Sequence, residues 1–427
     1  MKSGLKLIHW IIFLWLLIVI IRFNLVADYL SLFLNYLGLL LKDINAATAV
    51  VNFSFIDAVL SVLLFLFMIP LIFLFRKKWA FLKGKLNFSF AFLFALCFVF
   101  LFAPIISNEN PEFSKNLSVT KLLPPFSTVK MVELKQNGDG VISEAEKFRK
   151  RMDKIIKLSY NDKIIFADSL KLSGTVKYYQ KHVVKEIPLE EILTEDGLPV
   201  VKEKFFLLGT DEFGRDLFVR LIFGTRISIT IGFGAVILSL LIGIMLGFTA
   251  GYRGGLMDIL LNRFTETFLA FPVIYLVVLI LALFGSSIFS VIIVLGISGW
   301  MSLFKIVKSE VLSIKQKDFF STAELVGLRK SQLLLKEILP VIVAPILVNM
   351  VFLFSNIVLA EAALSYLGLG IGNSYPSWGS MISSGQQYIT RAWWLIAFPG
   401  SGLILTLFSV NSSGKILGKI FNPRLKT

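Results

Sequence analysis

The chain has little of what catalytic and metal sites are made from. Its 427 residues include one cysteine and two histidines. The lone Cys97 cannot form an intrachain disulfide, and inside an apolar run it reads as inert core. His9 and His182 lie far apart in sequence and surroundings, and no His/Cys/Asp/Glu spacing matches a metal-ligand cluster. A Gly-x-x-x-x-Gly-Lys-Ser/Thr phosphate loop is also missing. Gly84-Lys85, Gly414-Lys415 and Gly418-Lys419 are followed by Leu86, Ile416 and Ile420. These absences leave a catalytic or nucleotide-hydrolysing reading of this chain without support.

Charge is scarce as well. Asp, Glu, Lys and Arg make up 17% of the residues, against about a quarter in an average soluble domain. Hydrophobic residues make up 56%, and the mean hydropathy is +0.79. Several runs stay apolar for about 20 residues, the length that crosses a hydrocarbon core. No alternating ten-residue pattern points to a membrane barrel. The fold class is an all-α polytopic membrane protein.

A net charge of +15 raises a nucleic-acid partner, but its placement excludes one. Of 43 Lys and Arg, 20 lie at the N-terminus and in 76–85, 253–263, 305–336 and 415–426. Those are alternate ends of the apolar runs, as the positive-inside bias requires.

The apolar runs are 7–25, 54–75, 88–106, 227–249, 257–284, 287–304, 340–368 and 393–411, which predicts eight spans with both termini cytoplasmic. The first run resembles a signal peptide and Ala47-Thr48-Ala49 a cleavage site, but that site is too distant, so a retained helix is expected. Residues 29–41 are apolar but short, and are expected to lie flat at the outer surface. Domain boundaries follow: 1–86, N-terminal helices with a basic loop; 87–106, one span; 107–206, an extracytoplasmic domain; 207–427, five spans with a cytoplasmic loop at 305–340.

Residues 107–206 carry 17 Lys and Arg against 15 Asp and Glu, with no spanning run. Ser143-x-x-Glu146 is a capping box, and Ala145, Phe148, Met152, Ile155 and Ile156 give the helix after it an apolar face. Segments 163–178 and 181–188 hold β-rich patches. Asn137, Asp139, Gly140, Ile142 and Glu146 also fit part of a calcium loop, but Lys135 stands at its first ligand position. A turn before a capped helix explains the same residues, and the domain is expected not to need calcium.

Residues 321–340 form a charged, helical island between two apolar runs. Ala323, Val326, Leu333 and Leu334 recur at helical spacing, Gly327 interrupts them, and Pro340 is expected to end the stretch. Lys305, Lys308, Lys315, Lys317, Arg329, Lys330 and Lys336 place it in the cytoplasm. This stretch resembles the "EAA loop" of permease subunits of binding-protein-dependent ABC importers. Ala323, Gly327, Leu339 and Pro340 fall on that pattern, while Ser321 and Thr322 replace its first Glu and Ala.

Other motifs narrow the resemblance to the C-type permease of dipeptide, oligopeptide and nickel importers. They are Leu208-Gly209-Thr210-Asp211-Glu212-Phe213-Gly214-Arg215-Asp216, Gly251-Tyr252-Arg253-Gly254-Gly255, Ala270-Phe271-Pro272, the run from Ala360 to Gly370, Pro376-Ser377-Trp378-Gly379 and Asn422-Pro423-Arg424. The likeness is dense over 207–425 and loose over 88–106. It implies a type I permease core with extra N-terminal helices and an external α+β insertion. It also implies a bacterial inner-membrane location, a homologous permease, two ATP-binding subunits and an extracytoplasmic solute-binding protein. In the family, short helices at the loop sit in a cleft of the ATPase subunit, so ATP would be bound by a partner and Ala323, Gly327, Leu339 and Pro340 would couple to it.

Bland readings stand beside the functional ones. Asp211, Arg215 and Asp216 are read as an outer-interface motif of turns, a cap and an ion pair. Pro272 should kink its helix, as a gating hinge or as packing. Glu361, inside an apolar run, is either a pathway or gating residue or a buried hydrogen-bonding group. Arg263 and Glu266 can pair on one helix face. Trp300, Trp378, Trp393 and Trp394 fall near span ends, as in an aromatic belt. The rival readings are a stand-alone secondary transporter or channel, for which no inverted repeat is evident, and a membrane-anchored receptor using 107–206.

Overall fold

The computed structural model describes residues 15–74, 88–135, 143–156, 164–173, 175–181, 183–195, 198–270, 272–325, 327, 332–371 and 375–421. His9, His182, Asn137, Asp139, Gly140, Ile142, Phe271, Val326, Arg329, Lys330 and Asn422-Pro423-Arg424 lie outside them. Six described helices are long and apolar enough to cross a membrane, and a seventh candidate is a bent pair. The protein is therefore an all-α polytopic membrane protein. The chain divides into two compact units. One holds Met1–Asn87, Phe94–Arg226 and Ser384–Phe398; the other holds Phe88–Leu93, Ile227–Ser383 and Pro399–Thr427.

The first unit begins with helix from residue 15, a turn at Arg22, and then α1 (Phe23–Lys42), α2 (Ile44–Val50) and α3 (Phe53–Leu74). Asp43 caps α2 by accepting the Ala46 N–H at 3.1 Å. Asn52 accepts the Phe55 N–H at 2.8 Å, and α2 and α3 meet at 92°. Next comes α4 (Phe88–Ile106), whose backbone leaves helical geometry at Phe102, two residues before Pro104. Proline has no N–H to donate and its ring displaces the preceding turn. Carbonyls near this kink are met by side chains of the N-terminal helices. Ser61 Oγ donates to Leu101 O at 2.8 Å, Tyr29 Oη to Pro104 O at 3.1 Å and Arg22 Nη2 to Ile106 O at 2.7 Å. Cys97 is exposed on this helix rather than buried, because a span surrounded by lipid keeps an apolar surface outside its own core.

After α5 (Leu117–Thr120) the insertion builds small antiparallel sheets. β1 (Ser127–Glu133) lies between β2 (Ile164–Ala167) and β8 (Val201–Phe206), with Met131 opposite both Phe166 and Lys202. A second sheet orders β3 (Ser169–Ser173), β4 (Thr175–Gln180) and β5 (Val183–Pro188); β6 (Thr194–Glu195) pairs with β7 (Leu198–Pro199). The helix α6 (Glu144–Ile156) starts where the capping box places it, with the Glu146 N–H donating to Ser143 Oγ at 3.2 Å. Its Phe148, Met152 and Ile156 enter one core with Val26, Tyr29 and Leu32 of α1 and Phe55 of α3.

α7 (Leu217–Arg253) passes from the first unit into the second. There follow α8 (Gly255–Ala270), α9 (Val273–Phe284), α10 (Ile288–Lys315), α11 (Asp318–Leu325), α12 (Leu339–Tyr366), α13 (Trp378–Gly385) and α14 (Trp394–Phe421). The run 257–284, expected as one span, is two helices. Pro272 sits in extended geometry as the N-cap of α9, so it breaks the helix rather than bending it. Arg263 and Glu266 pair at 3.0 Å on the exposed face of α8.

Small residues on α7 let α10 approach closely. A Cβ on Gly243 would meet Leu303 Cβ at 2.6 Å, on Gly247 Val307 Cβ at 2.8 Å and on Gly251 Val311 Cβ at 2.8 Å. One turn earlier, Ser239 Oγ donates to Gly296 O at 2.7 Å. Spacing of four keeps this stripe on one helix face, the small-residue packing of membrane helices. Trp300, Trp378 and Trp394 are buried and only Trp393 is exposed, so three of the four do not form an aromatic belt. The indole area is used inside the protein, where Trp300 stacks among Phe264, Phe268 and Phe304.

Candidate functional site

Three places hold the residues that the sequence singles out. The first is the loop before α7. Asp211 Oδ1 accepts the N–H groups of Phe213 and Arg215, both at 2.9 Å, and Asp211 Oδ2 pairs with Arg215 Nε at 2.7 Å. Asp216 does not pair with Arg215. It caps α7, accepting the Phe218 N–H at 2.9 Å, and lies 3.6 Å from Lys204 Nζ. Glu112 bridges two arginines, reaching Arg215 Nη1 and Arg220 Nη1, each at 2.5 Å. Charge-assisted bonds of this kind are the strong ones when partly buried.

Gly209 has φ +80, and a Cβ there would lie 2.3 Å from Leu123 O. That close approach lets Thr210 interlock with 120–123: the Leu123 N–H donates to Thr210 Oγ1 at 2.8 Å, and the Thr210 N–H to Leu123 O at 3.0 Å. Trp394 Nε1 donates to Thr210 O at 3.2 Å. Burial raises the Glu212 carboxyl above its usual range, and neighbouring Asp211 raises it further. Burial likewise raises Asp216, against the pull of Lys204. For Arg215, burial disfavours the charge, but Asp211 and Glu112 outweigh it and hold the guanidinium protonated. Sequence reading missed Glu112, Arg220 and Lys204. Arg220 had a signal, a basic residue one turn into α7 and just ahead of the apolar run at 227–249; Glu112 had none.

The second place is Glu361, buried at 1% exposure on α12. Ser365 Oγ, one turn on, donates to Glu361 Oε1 at 2.8 Å, and Ser228 Oγ of α7 lies 3.5 Å from Oε2. Ser228 Oγ also accepts the Trp378 N–H at 3.2 Å. The chain after α12 turns back onto it. Leu369 N–H donates to Leu364 O and Gly368 N–H to Ser365 O, a helix-ending reversal with Gly368 at φ +79. Gly379 then comes so close that a Cβ would meet Ala362 Cα at 2.6 Å. The Ala360–Gly370 and Pro376–Gly379 motifs thus become one knot around a carboxylate, shared by α7, α12 and α13. Pro272 is exposed at the α8–α9 break and is not among the residues bonded to Glu361.

The third place is the 305–340 stretch. α10 is tied at its end to the α7–α8 turn: Lys308 pairs with Asp258 at 2.6 Å, and Lys315 Nζ donates to Tyr252 O at 2.8 Å. α11, which carries Ala323, is rooted by buried Phe320 against Tyr252. Its far end is bare, with Leu325 88% exposed. Gly327 follows at φ +80 with open space where a Cβ would stand. Pro340 does not end the stretch. A wide helical turn over Leu333–Ile338 runs straight into α12, with Pro340 in its first turn. Widening the turn before a proline relieves the clash with the carbonyl four residues back. Leu333 and Ile338 are fully buried, Leu339 half-buried and Pro340 exposed.

Residues 221–427 match the family of the binding-protein-dependent transport system inner membrane component. The oligopeptide transport system permease protein OppC of Bacillus subtilis (strain 168) is 37% identical over 228 residues, 53% of this chain and 74% of that one. The dipeptide transport system permease protein DppC of Alkalihalophilus pseudofirmus is 36% identical over 219 residues, 51% of this chain and 72% of that one. An inward-facing form of the MetNI methionine ABC transporter is similar at 15% identity and a TM-score of 0.39, over 48% of this chain and 96% of that one. The chain belongs to the family of inner-membrane components of binding-protein-dependent transport systems and is a multi-pass permease subunit.

Proposed function

We propose that this permease subunit moves di- or oligopeptides, or similar small solutes, inward across the bacterial cytoplasmic membrane, driven by ATP that partner subunits bind and hydrolyse. Its relatives' names support the peptide class. The assembly consists of this chain, a homologous permease, two ATP-binding subunits and an extracytoplasmic solute-binding protein. Both termini and 305–340 face the cytoplasm, and 107–206 face outward. Neither a cofactor nor nucleic acid enters the reading.

The observation that carries it is the bare tip of α11. A short helix rooted at Phe320 and exposed at Leu325 is built to be gripped by another chain. A push on that tip passes through α10 and α12 as a rigid-body shift. Ala323, Gly327, Leu339 and Pro340 form this coupling element. Glu361 and Pro272 serve the path or its gating: Glu361 as a clasp over three elements, Pro272 as a joint between α8 and α9. Asp211, Arg215 and Asp216 hold the outer end of α7 in place.

Gly327 tests the coupling. At φ +80 a valine is strained by about 1–3 kcal/mol, whereas asparagine tolerates that geometry. Gly327→Val is expected to abolish uptake and stimulated ATP hydrolysis in reconstituted vesicles while the chain still inserts. Gly327→Asn should keep at least half of both. Normal uptake with Gly327→Val would remove 321–340 as the coupling element.

A further inference from the structure

By length and composition α1 qualifies as a membrane span, yet its neighbours place it elsewhere. From Ser31 to Lys42 it runs antiparallel to α6. Arg151 Nη2 donates to Ser31 Oγ at 2.9 Å, the Tyr36 and Phe148 rings are 6.1 Å apart, and Lys42 pairs with Glu144 at 3.2 Å. α6 carries eight charged residues among 13, and all but Asp153 are exposed. A charge at the bilayer centre costs about 3 kcal/mol or more. α6 therefore stays out of the hydrocarbon and keeps the α1 segment beside it out as well.

At its other end α1 crosses α4 instead of following it. Arg22, in the turn before α1, and Tyr29, nearly two turns into it, reach Ile106 O and Pro104 O, which are about 3 Å apart along α4. The surface of α1 has three stripes. Val26, Tyr29, Leu32 and Leu39 are buried. Asn24, Asp28, Asn35 and Lys42 form an exposed polar stripe. Phe23, Leu34, Leu37 and Leu41 form an exposed apolar one, Leu41 at 86%. A spanning helix would turn that polar stripe to acyl chains; a helix in the interface turns it to water and headgroups. The apolar exposure continues into α3 through Phe53, Ile56, Leu60 and Phe67.

We propose that α1 lies along the membrane surface on the side of residues 107–206, with Phe23, Leu34, Leu37 and Leu41 set into the acyl boundary of that leaflet. The ligand of this surface is lipid. α6 rides on α1, so the N-terminal helices and the insertion form one accessory body moored to the bilayer.

The test uses the full chain carrying Cys97→Ser, reconstituted in phosphatidylethanolamine–phosphatidylglycerol vesicles, with single nitroxide labels at Asp28, Leu34, Asn35 and Leu41. The readout is collision with oxygen relative to a water-soluble nickel chelate. The ratio should be several-fold higher at Leu34 and Leu41 than at Asp28 and Asn35, with Leu34 and Leu41 at equal depth. A ratio that follows position along the helix regardless of face would make α1 a span and overturn the proposal. So would Leu34 and Leu41 open to nickel, or shielded from both reagents as under a protein partner. Impermeant maleimide labelling of Asn35→Cys in the same background checks the result independently: reaction is expected, and protection from both sides counts against the proposal.

Discussion

Glu212 stands beside Asp211 and Arg215 but has one carboxylate oxygen buried with no hydrogen-bond partner. Burial and Asp211 raise its proton affinity in the folded protein. A carboxyl with a raised folded value adds stability below its unfolded value, about 4.3, and that stability is lost as pH rises through the raised one. Glu212→Gln removes the charge and keeps the shape. The variant should melt higher than the parent at pH 8, with the gap closing as pH falls toward 5. Melting curves of the detergent-purified chain across that range give the answer, and a gap independent of pH would contradict the assignment. Asp216 shares the direction of shift but caps α7, so its replacement should destabilise at every pH, by about 1 kcal/mol near neutrality. Neighbouring acids of one motif therefore differ in kind.

At the scale of elements, α3 is fastened to α7 by charge. Arg226 Nη1 and Nη2 meet Asp57 Oδ2 and Oδ1 at 2.5 and 2.6 Å, with both side chains largely buried. A bidentate pair is directional as well as strong. Breaking one side strands a charge and costs on the order of 3 kcal/mol. Asp57→Asn should therefore destabilise the chain and lower uptake, and adding Arg226→Gln should recover much of both. Thermal unfolding and uptake of the two single variants and the double variant complete the cycle. If the double variant is as impaired as both singles added together, the pair is not what fastens α3. The same helices supply the Ser61, Tyr29 and Arg22 donors around the α4 kink, so the N-terminal region supports a permease helix rather than trailing from it.

At the scale of the whole molecule, the proposed topology, with 107–206 outside and the 305–340 loop inside, rests on the charge bias and is open to a direct test. Lys150 is exposed on α6, away from its buried face. Lys150→Cys in a Cys97→Ser background should react with an impermeant maleimide added to intact cells. Reaction only after the cytoplasmic face is opened would invert the topology and, with it, the coupling role of α11. The core of the permease and its additions also differ in how they are held. The α7–α10 contact rests on small residues and close backbones, whereas the accessory region rests on aromatic packing among Tyr36, Phe55 and Phe148.

What the sequence determines by itself is local. Run length and basic flanks mark most of the spans, Ser143 marks the start of α6, and the motif order marks the family. Proline positions announce disturbance but not its form: Pro104 kinks α4, Pro272 separates two helices and Pro340 rides through a widened turn. At Pro104 the carbonyls around the kink are met by Ser61, Tyr29 and Arg22, which are distant in sequence. Only the tertiary structure decides that Glu112 joins Arg215 and Arg220, 103 and 108 residues away, or that Asp57 meets Arg226 across 169. It also decides that α1, apolar enough to span, lies beside a charged helix. Hydropathy and periodicity report what a segment would do alone in lipid or water. A buried charge or a buried indole is settled by its partners, and these are set by how the whole chain folds back on itself.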